Sequence, residues 1–270
     1  MLILAATPIG NIGDASQRLK STLEAAKVIA AEDTRTLLSL ANHLGIKLAA
    51  ELISLHEHNE LQKLDRLVQL AQTADLVLVS DAGMPTISDP GFALVRACAQ
   101  AGVEIQVVPG PSAVISALAV SGLSTDRFCF EGFLPRKSGE RTRVFESLIS
   151  ETRTMVFFES PHRIADSLSD AAKIFGANRS ASVSRELTKK FEETKRGTLG
   201  DLLEWAQDQK GEMVLVIAGA EPVVWNLDDL VSKVIELKSE GTGLKQAASS
   251  IAKQYGASSS ELYALALKRL

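Results

Sequence analysis

Three loops built from glycine, proline and small residues are where this sequence could do chemistry. They are TPIGNIGD (7–14), SDAGMPTISDPG (80–91) and PGPSA (109–113). Small residues let a ligand reach backbone N–H and C=O groups, and proline holds a loop in shape. Any one such loop is also a plain tight turn. Three of them, each following an apolar run, make a stronger pattern. None is the GxGxxG dinucleotide fingerprint, and no Gly-Lys-Ser/Thr closes a phosphate-binding loop.

Other residues narrow the chemistry further. His56 and His58 stand two apart without a third ligand, and Cys98 and Cys129 fit no CxxC or Cys/His spacing. No metal site is expected from them. Ser160, in ESPHR (159–163), lacks the GxSxG elbow of a hydrolase. Two charged stretches stay open. SRELTKKFEE (184–193) is either a solvated face or a substrate-facing loop. The basic cluster of Arg136, Lys137, Arg141 and Arg143 has the same two readings.

The elements that must position these loops are legible as alternating patterns. Short apolar runs at 2–6, 28–31, 76–79 and 105–108 read as strands. Asp14, three residues before Gln17, has the spacing of a capping box and predicts a helix start. Further helices are predicted from Asn59, over 92–101 and over 112–120. Strands alternating with helices imply a mainly parallel sheet covered on both faces. Gly, Pro and charge interrupt the pattern at 132–139, which reads as an interdomain connection. Strands at 154–158, 181–184 and 213–218 and helices at 161–175 and 199–205 follow. The division expected is therefore 1–132, 133–224 and a helical segment over 225–270. In that last segment Gly256 closes one helix and Ser258 with Glu261 opens another. The outline is either a helix-turn-helix or a plain helical cap.

Composition sets the limits. The 270 residues are 46% hydrophobic and 23% charged, with a formal net charge of −4. Bulk basicity cannot drive nucleic-acid binding here, so any such contact must come from local patches. The apolar start is too short for a signal peptide, and no stretch approaches the roughly 20 apolar residues of a membrane span. A cytoplasmic protein with no membrane role is expected.

Taken in order, TPIGNIGD (7–14), AAEDTR (30–35), LVSDAGMPTISDPG (78–91), VVPGPSA (107–113), FEGFLP (130–135), FFESPHR (157–163), RELTKKFEE (185–193) and GEMVLVIAG (211–219) carry a resemblance. The chain resembles the RsmI family of bacterial 16S rRNA ribose 2′-O-methyltransferases, of the tetrapyrrole-methylase fold, over essentially its whole length. The resemblance implies two α/β domains with a cofactor cleft between them and a small C-terminal helix-turn-helix-like segment. It implies S-adenosyl-L-methionine as cofactor, a homodimer, and methylation of the ribose of a cytidine, nucleotide 1402 of 16S rRNA, in the small ribosomal subunit.

The same resemblance implies site residues. Pro8 borders the cofactor. Asp81, Ala82, Gly83 and Thr86 hold its methionine end, Ser112 and Ala113 contact it beyond the third strand, and Phe158, Leu187 and Met213 wall the adenine side. Met84 stands where the family often has Thr. A ribose hydroxyl is a poor nucleophile at neutral pH, so a base or a cation should assist it. Near the expected cleft, Asp33 or Glu186 could accept a proton, and Lys189 or Arg35 could hold a phosphate or the forming alkoxide. A plain ion pair is the alternative for all four. RNA contacts are expected at Arg136, Lys137, Arg141, Arg143 and Lys190. A tetrapyrrole methyltransferase and a non-catalytic ribosome-assembly factor are the competing functions.

Overall fold

A computed structural model of the chain describes residues 1–221 and 226–270. The chain divides into two compact units, Met1–Ala220 and Glu221–Leu270. The first unit holds two five-stranded sheets.

The first sheet uses β1 (Leu2–Ala5), β2 (Val28–Ala31), β3 (Glu51–Ser54), β4 (Leu76–Val79) and β5 (Ile105–Val108). Their order is β3-β2-β4-β1-β5, and every pairing is parallel. All residues of β2 and β4 are buried, as parallel strands covered on both faces require. The C-terminal ends of β1, β2, β4 and β5 therefore open on the same edge, where open α/β sheets gather their ligands.

The second sheet uses β6 (Phe128–Phe133), β7 (Thr154–Glu159), β8 (Ser180–Arg185), β9 (Glu193–Thr198) and β10 (Met213–Ile217), in the order β6-β7-β10-β8-β9. Only β6 and β7 run parallel; β10 is antiparallel to β7 and β8, and β8 to β9. The expectation of a mainly parallel sheet thus holds for the first sheet and fails for the second, where a hairpin joins β8 directly to β9.

Two boundaries also move. The expected division after residue 132 falls inside β6, which already pairs with β7. The first sheet is complete at Val108, so the change of sheet precedes Phe128. Its Gly and Pro neighbours mark a bulge and a strand end instead of a linker. The boundary expected between 224 and 225 lies outside the described residues. The helix predicted from Asp14 begins later: Asn11 and a short 3-10 turn over Ile12–Asp14 occupy that segment, and Ser16 caps α1 (Gln17–Ala25) by accepting from Leu19 N.

Helix α5 (Ala113–Ser121) follows the first sheet but buries its apolar face against the second. Val114, Ala117 and Leu118 cluster with Val156, Leu187, Val214 and Val216, and with Ile9 from the loop after β1. This shared cluster fixes the first sheet's ligand edge against the second sheet.

The second unit consists of α9 (Leu227–Ser239), α10 (Leu244–Tyr255) and α11 (Ser259–Arg269) around Leu230, Val231, Val234, Ala247, Ala248, Ile251, Leu262 and Ala266. Gly256, left-handed at φ +66°, ends α10, and Ser258 caps α11 by accepting from Glu261 N. The helix-turn-helix outline is present, completed by a third helix that buries its apolar face. No described helix is long and apolar enough to cross a membrane.

Candidate functional site

The three small-residue loops meet at one cleft. Thr7 and Gly83 exchange backbone hydrogen bonds (Thr7 N to Gly83 O 2.9 Å, Gly83 N to Thr7 O 3.1 Å), which ties the first loop to the second. Gly83 has φ +79°, and an added Cβ would lie 3.3 Å from the Ile9 side chain. Gly110 lets the third loop pass the end of β1, where a Cβ would stand 2.9 Å from that of Ala6. Both contacts call for glycine: the first through its dihedral, the second through its space.

The cleft encloses about 250 Å³. Ile9, Ala82, Gly83, Met84, Ile87, Ser88, Asp89, Ser112, Ala113 and Val114 line one side. Phe133, Phe158, Glu159, Leu187, Glu212, Met213 and Val214 line the other. Of the residues expected at the cofactor, Ala82, Gly83, Ser112, Ala113, Phe158, Leu187 and Met213 are brought together here. Pro8 and Asp81 line an adjoining, more open groove that shares Ile9, Ala82 and Glu212 with the cleft. Thr86 lines neither. It takes a left-handed backbone at φ +77° and turns the loop, with its methyl beside Gly91.

That groove also collects Asp33, Arg35 and Lys189. Asp33 caps α2 (Thr34–Leu44) by accepting from Arg35 N, and its carboxylate is gripped by the Arg35 guanidinium at 2.6–3.2 Å. Hydrogen bonds from Arg35 hold the Asp33 carboxyl down to about 2. Lys189 donates to Glu186 Oε1 at 3.0 Å and to Glu212 Oε2 at 2.9 Å. The bond from Lys189 also lowers the Glu186 pKa. Burial pulls Lys189 down, but hydrogen bonds to Glu212 and Glu186 outweigh it and leave the pKa raised. Asp33 and Glu186 are therefore stable anions and weak bases, whereas Arg35 and Lys189 stay charged. Glu186 lines neither space; it anchors Lys189, whose stem lies against Gly10.

Asp89 behaves differently. Burial pushes its pKa up to about 6; a bond from Ser80 opposes this, and Glu32 and Asp81 add to it. Burial also raises Glu32 and Asp81. A carboxyl raised by folding takes up a proton when the chain folds. Its penalty is absent below the unfolded value and complete above the folded one. Asp89→Asn is thus expected to raise the thermal midpoint at about pH 8, with the gain shrinking as the pH falls from about 6 toward 4. A variant less stable than the parent at the higher pH would show that the carboxylate is held by a favourable contact instead.

Of the expected RNA-facing residues, Arg136, Lys137, Arg143 and Lys190 are exposed. Arg141 is not. It is buried in α6 (Ser138–Ser147), and its guanidinium meets Asp170 Oδ2 at 2.6 Å, with 3% and 7% of the two side chains exposed. An Arg engaged this way is a core ion pair and cannot reach a phosphate. Asp89, Phe133, Glu159 and Glu212 are cleft residues that the sequence alone did not single out. Asp89 lies in the SDPG end of a recognised loop, and Phe133, Glu159 and Glu212 lie in the FEGFLP, FFESPHR and GEMVLVIAG stretches, but nothing in those motifs picked these positions out from their neighbours. Glu159, with a side chain fully removed from solvent, is held by Arg163 at 2.6 Å and by Ser167 at 2.6 Å.

Comparison with known proteins gives the site a context. The model of the tetrapyrrole (corrin/porphyrin) methylases matches residues 1–203. A Haemophilus influenzae protein named ribosomal RNA small subunit methyltransferase I is 44% identical, over 100% of this chain and 97% of that one. The structure of the methyltransferase CobJ is similar at TM-score 0.60 and 18% identity, covering 81% of this chain and 94% of that one. Uroporphyrin-III C-methyltransferase from Thermus thermophilus, complexed with S-adenyl homocysteine, gives TM-score 0.54 at 16% identity, over 80% of this chain and 96% of that one. At such identities the two structures establish the fold.

Proposed function

Because the chain belongs to the ribosomal RNA small subunit methyltransferase I family, within the tetrapyrrole methylases, we propose that it methylates 16S rRNA in the small ribosomal subunit. The methyl donor is S-adenosyl-L-methionine, and the acceptor is the ribose 2′-hydroxyl of cytidine 1402. The observation that carries this reading is relatedness through the whole chain. The Haemophilus influenzae relative aligns across 100% of it, whereas the CobJ structure covers 81%. The reading also includes a homodimer working in the cytoplasm.

The cleft suits the cofactor chemically. Small residues at 82, 83 and 113 leave room for a ligand close to the backbone, while Phe158, Leu187 and Met213 offer an apolar wall to a flat ring. Burial raises the proton affinity of Glu32, Asp81 and Asp89, and the charges of Glu32 and Asp81 add to the rise at Asp89; a ligand carrying an ammonium and a sulfonium relieves that repulsion. Bound there, S-adenosyl-L-methionine supplies a methyl group already activated for displacement. The chain's own task is alignment, which supplies as much as about 7–11 kcal/mol in ideal cases. Arg35 and Lys189, which line the adjoining groove and stay charged, receive RNA phosphates or the developing alkoxide in this reading.

The test is tritiated S-adenosyl-L-methionine offered with unmethylated small subunits, naked 16S rRNA and a tetrapyrrole precursor in parallel. Label in ribosomal RNA is expected. Label only in the tetrapyrrole would replace the substrate, and bound cofactor with no label anywhere would favour a non-catalytic assembly factor. In the same assay Lys189→Ala is expected to lower turnover on subunits by roughly 100- to 1,000-fold, the range for losing a charge-stabilising donor. Cofactor affinity should stay within about twofold. Unchanged turnover would take Lys189 out of the substrate site.

A further inference from the structure

An aromatic ring stands at the mouth of the cleft with nothing in the fold to explain its exposure. Phe133 lines the cleft yet leaves 59% of its surface in solvent. A single exposed apolar side chain is ordinary on a surface; its place on the rim of the cleft is what sets this one apart. The backbone goes out of its way to put the ring there. Phe130 pairs with Val156 and Phe133 with Phe158, so β6 spends three steps where β7 spends two. Gly132, at φ +72°, sits inside that bulge. Bulges next to active sites re-aim side chains. Here the extra residue brings Phe130 and Phe133, three apart in sequence, onto the same partner. Phe158 meets Phe130 at 4.9 Å edge-on and Phe133 at 5.3 Å. Phe158, itself braced by Phe130, holds Phe133 from one side, and most of the Phe133 surface stays in solvent.

The surroundings indicate the partner. Arg136 and Lys137 follow within four residues and are exposed. Across the mouth lie Ile87, 45% exposed, and Ser88. A ring braced from one side, mostly in solvent and flanked by cations is the arrangement that receives an unstacked base with its phosphate. Selecting one nucleotide of a folded RNA for its ribose asks for a hold on that nucleotide, and an aromatic ring stacked on the base face supplies one whatever the base.

We propose that Phe133 is the platform on which an unstacked nucleobase of the RNA substrate rests, with Arg136 and Lys137 taking the adjoining backbone. This rests on the ribosomal RNA reading above. The platform holds any base by its face, so it positions the nucleotide without identifying it.

The experiment measures, in the same preparations, kcat and KM on small subunits and the affinity for S-adenosyl-L-methionine. Wild type is compared with Phe133→Ala, Phe133→Leu and Phe133→Trp. Loss of one stacked base corresponds to roughly 5- to 150-fold in binding. Phe133→Ala and Phe133→Leu are expected to raise KM for subunits within that range and to leave cofactor affinity within about twofold. Phe133→Trp, which keeps an aromatic face, should stay near wild type. Three results overturn the platform: unchanged KM in Phe133→Ala, full activity in Phe133→Leu, or a parallel loss of cofactor affinity, which would make the ring a cover for the cofactor. A wild type that labels no ribosomal RNA overturns the reading underneath and the platform with it. Label in wild type with Phe133→Ala unimpaired overturns the platform alone.

Discussion

Ala113→Leu is expected to weaken S-adenosyl-L-methionine binding by roughly 5- to 150-fold while leaving the fold intact. Ala113 is the first residue of α5 and lines the cleft together with Ala82 and Gly83. Its side chain is half-buried at the cleft wall, at the edge of the shared cluster of Ile9, Val114 and Leu187, so added carbons that follow the wall occupy ligand space. Overfilling a close-packed site costs about 1–3 kcal/mol, which gives the stated range. Leu is nearly as good a helix former as Ala, so α5 should persist. Titration calorimetry reads the affinity, and a melting midpoint within about 2 °C of wild type checks the fold, one kcal/mol being worth about 2–4 °C at this size. Undiminished binding would remove the start of α5 from the cofactor site.

The largest effect on stability is expected from Asp170→Ala. Asp170 sits on α7 (Ile164–Phe175) and takes Arg141 Nε at 3.0 Å, Arg141 NH2 at 2.6 Å and Ser138 Oγ at 2.8 Å. Lys173 reaches its other oxygen at 3.3 Å. Burial favours the protonated form, but the bonds from Ser138, Arg141 and Lys173 prevail and hold the pKa below the ordinary Asp value. This stabilisation is present at neutral pH and is lost as the pH falls through that lowered value. Deleting the carboxylate strands a buried guanidinium, at a cost of about 3–5 kcal/mol, or roughly 6–20 °C in midpoint. Replacing both partners, as Arg141→Met with Asp170→Leu, should recover most of the loss, because an apolar pair leaves no unpaired charge. A single variant that melts with wild type would contradict the buried pair.

How far the sequence could be read follows from how each element is buried. The inner strands β2 and β4 are apolar at every position and were legible as such. The edge strands β3 and β9 were not, whereas β5, the other edge of the first sheet, was. ELIS in β3 and ETKRGT in β9 expose much of their length and show neither alternation nor an apolar run. β6 was missed because its Gly132 bulge and the Pro and Lys beyond it look like a linker. Arg141 lies in a run of basic residues that reads as surface. Its partner is 29 residues away on another helix, and only packing brings the two together. The three ligand loops were legible because each follows a strand of one parallel sheet. Their opposite wall was legible only at Phe158, Leu187 and Met213, through resemblance. Phe133, Glu159 and Glu212 reach the cleft through the mixed strand order of the second sheet, which the pattern of residues does not specify.

In the proposed reaction the cleft presents its methyl donor to a ribose hydroxyl of one nucleotide. The most direct test digests RNA from the subunit reaction to nucleosides, identifies the methylated product by mass spectrometry and maps its position by primer extension. The expected product is 2′-O-methylcytidine at nucleotide 1402 of 16S rRNA, absent without enzyme. A methyl group on a base, or on another nucleotide, would contradict the account even with the fold and the cofactor intact.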